Sequence, residues 1–297
     1  MLDLVIDARP HDLGGFQVGR VLPFRDRRMV GPFIFFDRMG PHDLAPPIPR
    51  TTDVRPHPHI GLSTVTYLFD GQLTHRDSTG VEQVILPGEL NWMTAGAGIS
   101  HSERFDGMRV HGGHMDGIQA WLALPERNEE DGPSFAHYDA ASLPAVQDDG
   151  VQARLVAGAA YGLTSPAVTH SPLFYLHAEL KAGARMPLPD GYPERAVFVA
   201  RGAVKIDGSR YGEGQMAVFS GPDPASIEAI EPSRVMLLGG EPVGTRHIWW
   251  NFVSSRKDRI EAAKADWLAG RIALPPMDNQ EFIPLPPSPK PSPEPMS

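Results

Sequence analysis

Glycine and proline interrupt this chain too often for long regular elements: 30 glycines and 31 prolines fall among 297 residues, about a fifth of the chain against an average share of roughly 12 %. Neither residue sits well inside a helix or a central strand. The chain is therefore expected to be all-β, built from many short strands and frequent turns, with long helices scarce. At this length two domains or one large β architecture are open, and either can bury a sizeable core.

Between Thr51 and Pro125 the strand signals are clear. The runs Ser63-Thr-Val-Thr-Tyr-Leu-Phe69, Val84-Ile-Leu86 and Leu90-Asn-Trp-Met93 are separated by turn signals at Asp70-Gly71, Ser78-Thr79-Gly80 and Pro87-Gly88. Upstream, Phe33-Ile-Phe-Phe36 reads as one further strand. After Pro144 a weaker copy of the layout follows in Phe174–Leu180, Ala196–Ala200, Ala203–Ile206 and Met216–Phe219. Val65-Thr-Tyr-Leu-Phe-Asp-Gly71 set against Ala196-Val-Phe-Val-Ala-Arg-Gly202 suggests an internal duplication, hence two similar β domains. One helix is predicted after Ser255 as its cap, with Asp258 three residues on, Ile260, Ala263, Trp267 and Leu268 on one face, and Gly270 after the stop. The last stretch, 284–297, is so proline-rich that it is predicted to be an extended, disordered tail that cannot pair in a sheet.

Two short pairs carry the chemistry. His57-Pro58-His59 and His101-Ser102-Glu103 each place two metal-binding side chains two residues apart, and side chains on a strand alternate faces with that period. If the two strands face each other, His57, His59, His101 and Glu103 converge. Three imidazoles and a carboxylate suit a redox-active first-row ion such as iron or manganese, and an octahedral ion would keep two positions for substrate or dioxygen. The second β domain has Met186-Pro-Leu188 in the comparable place, so only the first is expected to hold metal. His75 lacks a paired ligand, and His111 and His114 span a Gly-Gly turn, so these three are read as surface or hydrogen-bonded core residues. Gln119 and Trp121 would share one strand face, as core packing or as cavity lining.

Composition excludes several classes. A formal charge of −9 with no basic run argues against direct nucleic-acid binding. With no cysteine there is no disulfide framework, thiolate ligand or thiol nucleophile. The charged start MLDLVIDARPHD does not look like a secretory signal, and no stretch has the roughly 18 apolar residues of a membrane span. The expectation is a cytoplasmic protein with no membrane partner, a monomer in the absence of other signals.

The segments Arg55-Pro-His-Pro-His-Ile-Gly-Leu-Ser-Thr-Val-Thr-Tyr67, Thr74-His-Arg-Asp-Ser-Thr-Gly80 and Trp92-Met-Thr-Ala-Gly-Ala-Gly-Ile-Ser-His-Ser-Glu103 resemble the pirin family of the cupin superfamily, and Gly31-Pro-Phe-Ile-Phe-Phe-Asp37 is similar to it as well. The resemblance extends to about Gly270. It implies a bicupin: an N-terminal metal-binding cupin barrel over 1–135, a metal-free C-terminal barrel with its helix over 136–283, and the tail 284–297. By family pattern the ligands of one iron, most simply Fe2+, are His57, His59, His101 and Glu103, the set already read from spacing, while Mn, Ni, Cu and Zn suit the same donors. Cupins of the more typical kind carry a ligand Glu just after the His pair, where this chain has Ser63 and Thr64, which leaves the carboxylate to Glu103.

Two activities follow from the resemblance. Some bacterial pirins are quercetin 2,3-dioxygenases, which would make the partners a small aromatic substrate and dioxygen, with Glu103 as a catalytic base for the flavonol 3-hydroxyl as well as a ligand. Animal members are iron-dependent, redox-sensitive regulators of transcription factors, which would make this chain a metal-dependent module with a regulatory protein partner.

Overall fold

The computed structural model describes residues 1–13, 15–221 and 223–287, and the backbone of 295–296. Residues 288–294 and 297 of the predicted tail lie outside the described residues. Pro295–Met296 run antiparallel to Arg246–Trp249, so this part of the tail does pair in a sheet, contrary to expectation.

The all-β expectation holds: among the described residues the only α-helix is Lys257–Leu268, and the rest of the regular structure is strands and two short 3-10 turns. The predicted strands lie within Phe33–Leu44, Leu62–Asp70, Leu90–Thr94, Leu173–Leu180, Glu194–Arg201, Ala203–Ile206 and Gln215–Ser220, and Val84–Leu86 overlaps Glu82–Ile85, with Leu86 beyond its end. The chain divides into two compact units. One comprises Met1–Pro10, Gly19–Phe36 and Tyr138–Pro242; the other comprises His11–Val18, Asp37–His137 and Val243–Ser297.

The unit changes at 137/138, and each end of the chain belongs to the unit built mainly from the opposite half. Leu2–Asp7 pairs with Gln215–Ser220 at the edge of the eight-stranded sheet built mainly from the C-terminal half. The helix, in turn, packs Ile260, Ala263 and Trp267 against Ile60, Trp249, Phe252 and Ile272, all within the unit that contains the N-terminal half. Leu268, expected on that apolar face, is 72 % exposed, because it stands one residue beyond Trp267 on a helix that turns 100° per residue. The helix starts at Lys257 with Arg256 as its cap and no side-chain capping bond. Ser255 is instead held by Glu129, and the Ser254 hydroxyl accepts from Arg256 N–H.

Each unit pairs a large antiparallel sheet with a small one. In the unit that carries the histidine pairs, the small sheet runs Val54–His59, Ile99–Arg104, Leu73–Asp77, Glu82–Ile85. The large sheet of this unit has Leu90–Thr94, Leu62–Asp70 and Gly113–Ala123 in that order, followed by the part of Phe33–Leu44 from Asp37 on. Leu68, Met39 and Met115 of the large sheet close a core with Leu73 and Ile85 of the small one. In the other unit the small sheet runs Arg185–Pro187, Ser226–Ala229, Ala203–Ile206, Ser209–Gly212, and its Met186, Ile206, Tyr211 and Ile227 fill the core under Leu155, Leu176, Val197 and Leu237. The two small sheets share one plan, in which the first strand in the sequence lies at an edge beside the last, followed by the second and the third.

Candidate metal centre

The strand Ile99–Arg104 lies between Val54–His59 and Leu73–Asp77, antiparallel to both. His101 is directly opposite His57 on one side and Asp77 on the other. Such opposed residues have Cβ atoms about 5 Å apart on one face of the sheet, so register alone brings the imidazoles together. The ring centroids of His57 and His101 are 4.4 Å apart, and His59 is 5.0 Å from each. One ligand atom from each of the three lies within 4.8 Å of the others.

The second shell fixes which nitrogen is offered. His57 Nδ1 is 2.9 Å from the Arg55 carbonyl oxygen and His59 Nδ1 is 3.2 Å from that of Asn251. Each carbonyl can only accept, so each Nδ1 carries its proton and donates, leaving Nε2 with a free lone pair. The Nε2 atoms of His59 and His101 are buried without any hydrogen-bond partner. Buried polar atoms are rarely left so, and two imidazole lone pairs aimed into one cluster are the donors a metal ion takes. Burial pushes the His57 ring down to about 4 and the His59 and His101 rings well below their ordinary value, with the neighbouring imidazoles adding to the effect. All three are neutral at pH 7, the form that ligates.

Glu103 stands apart from this tight group. Its Oε1 is 3.6 Å from His101 Nδ1, and its Oε2 is buried without a partner. The register shifts between His101 and Glu103, so that Glu103 pairs with Val54 instead of Arg55. A bulge of this kind re-aims a side chain, which sets Glu103 apart from the imidazoles although the spacing had placed all four residues together. Burial pushes the Glu103 carboxyl up to about 8, against a smaller opposing effect of Arg104.

The wall facing the cluster comes from the large sheet. Trp121 sits edge-on to His59 at 5.0 Å. Trp121 lies opposite Thr64, and Gln119 opposite Thr66, whose hydroxyl donates to Gln119 Oε1 at 2.7 Å. Gln119 and Trp121 therefore share one face, as expected. His111 and His114 are exposed and distant from the cluster in the strand register, with His114 paired to Asp43 at 2.9 Å.

Three contributors escaped the sequence reading. The Asn251 carbonyl has no side-chain signature and lies 192 residues from His59. It is delivered by the chain beside Phe252, which bridges Ile60. Gly61 makes that approach possible: its φ is +67°, and a Cβ there would collide with the Val253 carbonyl oxygen. His75 is a hydrogen-bonded core residue, one of the two readings open to it, but its place beside the cluster was not foreseen: it is buried 3.4 Å, Nδ1 to Nδ1, from His101 and bonded to Asp77. The missed signal was His75-x-Asp77, a third pair of period two.

In the other unit the equivalent edge position carries Met186 opposite Ile227, both buried in an apolar core. Those side chains offer no oxygen or nitrogen donor.

Comparison with known proteins agrees with this arrangement. The Pirin family model matches residues 15–122 and that of the Pirin C-terminal cupin domain matches 175–273. A pirin-like protein of Caulobacter vibrioides is 60 % identical over 287 residues, covering 96 % of this chain and all of the relative. The crystal structure of a quercetin 2,3-dioxygenase from Acinetobacter baumannii superposes with a TM-score of 0.87 at 32 % identity, covering 96 % of this chain and 95 % of that one. A bacterial pirin from Escherichia coli in complex with nickel(II) superposes with a TM-score of 0.62 at 19 % identity, covering 80 % and 99 %, which shows the shared fold.

Proposed function

The chain belongs to the pirin family, and from that premise we propose that it is an iron-dependent dioxygenase that cleaves flavonols such as quercetin, or a related enol or catechol-like compound. The observation that carries this reading is the set of three neutral imidazoles, with the Nε2 atoms of His59 and His101 buried and unpartnered, beside a buried carboxylate oxygen of Glu103 that is also unpartnered. The 32 % identical quercetin 2,3-dioxygenase supports the choice of substrate class.

His57, His59 and His101 would hold the ion, with Glu103 as the fourth ligand through one oxygen. A ferrous ion in this donor set supplies Lewis acidity toward an enolate and one-electron chemistry toward dioxygen. The protein's own part is then to bind, orient and move one proton. Trp121 offers a flat apolar wall beside His59 on which an aromatic ring can lie. The Gln119 amide, its oxygen already engaged by Thr66, has N–H groups left to donate to a substrate oxygen. Glu103 Oε2 is the atom that would take the 3-hydroxyl proton. That oxygen is buried without a hydrogen-bond partner, so it is open to accept a proton from a substrate hydroxyl.

The test is oxygen uptake by protein loaded with Fe2+ under anaerobic conditions and then mixed with quercetin and air. Stoichiometric dioxygen consumption with loss of the flavonol absorbance is expected. Metal content of one ion per chain with no uptake across a panel of flavonols and catechols would reject the enzyme and favour the redox-dependent binding module.

A further inference from the structure

His101 differs from the other two imidazoles of the cluster in what stands behind it. His57 and His59 each face a carbonyl oxygen, a fixed acceptor. Behind His101 Nδ1 stands another imidazole nitrogen, Nδ1 of His75, at 3.4 Å, and an imidazole nitrogen can be donor or acceptor. What His75 presents is decided one step further out, where its Nε2 is 3.0 Å from Asp77 Oδ2. We propose that Asp77 and His75 are positioning residues that set the tautomer of His101 and so keep its Nε2 free for the metal. The proposal rests on the metal site argued above.

The direction of each bond follows from the outermost group. Asp77 is fully buried, and its Oδ1 accepts from Thr79 N–H at 2.8 Å, the Thr79 hydroxyl at 2.6 Å and Val81 N–H at 3.4 Å, all within its own turn. Its Oδ2 is left to accept from His75 Nε2–H. With the proton on Nε2, His75 Nδ1 has a lone pair and can only accept. His101 Nδ1 must then donate, which places the single ring proton on Nδ1 and leaves Nε2 bare. The His75 ring is held in this orientation by stacking on Phe135, with centroids 4.5 Å apart and planes 22° apart. Both nitrogens of His75 are spent in the chain, so it is not a ligand itself. Carboxylate and carbonyl groups behind ligating histidines commonly act in this way, and their loss costs about 10- to 100-fold in metal affinity. Here the effect is passed through an intervening imidazole.

The chain of bonds makes an unusual demand on Asp77→Asn. Three donors face Oδ1 and keep an oxygen there, so the new NH2 must point at His75 Nε2. That nitrogen becomes an acceptor, the His75 proton moves to Nδ1, and two N–H groups meet unless His101 moves its own proton to Nε2, the atom meant for metal. His75→Phe keeps the stack on Phe135 but removes the acceptor. His75→Asn restores an acceptor, Oδ1, near the position of the lost Nδ1.

The experiment uses the full chain, with cobalt(II) as the probe because its visible ligand-field spectrum reports coordination without turnover. Wild type is expected to bind one Co2+, and its metal-free form is expected to show the Nδ1–H tautomer of His101 in long-range 1H–15N spectra. Asp77→Asn and His75→Phe should each weaken Co2+ binding about 10- to 100-fold and shift the spectrum, whereas His75→Asn should stay within about threefold of wild type. Should Asp77→Asn fail to fold by circular dichroism, the contrast between His75→Phe and His75→Asn decides. Equal affinities for wild type and His75→Phe, equal weakening in His75→Phe and His75→Asn, or an Nε2–H tautomer in wild type would each overturn the proposal while leaving the metal site intact. Failure of wild type itself to bind Co2+ would overturn both.

Discussion

His57 and His101 are directly opposed across an antiparallel strand pair, and their ring centroids lie 4.4 Å apart. Because His59 follows His57 by two residues on the same strand, one register places all three imidazoles, and nothing but the slide of one strand against the other could separate them. The full chain carrying His57→Ala and His101→Ala should therefore hold less than about a tenth of the wild-type metal, by elemental analysis of protein purified without added metal, while keeping its circular dichroism. The same measurement reports on the other unit, where Met186 opposite Ile227 gives an ion nothing to bind. Near-full occupancy in the double variant would mean that the ion sits elsewhere.

Metal uptake should release about one proton per ion at pH 6 to 7, and that proton should come from Glu103. The imidazoles are held neutral by burial and have none to give in this range, whereas the Glu103 carboxyl, pushed up to about 8, is protonated in the metal-free protein and must ionise to ligate. Calorimetry in buffers of different ionisation enthalpy counts the protons. Glu103→Gln should bring the count to zero, and an unchanged count would remove Glu103 from the ligand set.

The metal-free protein should be most heat-stable near pH 6.5. The three buried imidazoles have folded values below the ordinary 6.5, so the unfolded chain takes up protons that the folded one refuses, and stability falls as pH drops from 6.5 toward 4. Glu103 has the opposite sign. Its folded value is raised from 4.5 to about 8, so its contribution is full below 4.5 and is lost as pH rises through 8. Scanning calorimetry of the apoprotein should show Tm declining on both sides, and Glu103→Gln should flatten the alkaline side and steepen the acid side between pH 4.5 and 6.5.

How much of this was legible in the chain depends on whether a feature is local. Alternation along a strand is local, so the clustered histidines and nearly all the strand segments could be read directly. The bulge at Glu103 depends on how two distant strands pair, and the Asn251 carbonyl depends on a crossing of segments far apart in the chain. Neither leaves a mark in residue types. The exchange of chain ends is hidden for the same reason: Leu2–Asp7 looks like a strand, but which sheet edge it completes is decided by partners more than 200 residues away. His75 is a different case. Its reading as a hydrogen-bonded core residue holds, but its partner Asp77 was in plain view at a spacing of two, and looking only for paired ligands hid the pair.

The strand that carries His101 and Glu103 is held from its other face by the segment after the helix. Ser100 donates to the Ala273 carbonyl at 2.6 Å, Ser102 donates to Asp278 at 2.6 Å, and the buried Arg104 guanidinium makes two 2.7 Å bonds to the Asp278 carboxylate. A bidentate pair of this kind, with Arg104 2 % and Asp278 14 % exposed, is costly to break from one side because the remaining charge stays buried. Asp278→Ala should lower stability by about 3 kcal/mol in chemical denaturation, at the low end for buried pairs because Glu281 at 3.1 Å and Asp53 at 3.4 Å still face Arg104. Replacing both partners, Arg104→Met with Asp278→Leu, should cost clearly less than the sum of the two single changes, as a double-mutant cycle measures. Additive losses would mean that the two side chains are not coupled and that the segment is held by its serine contacts alone.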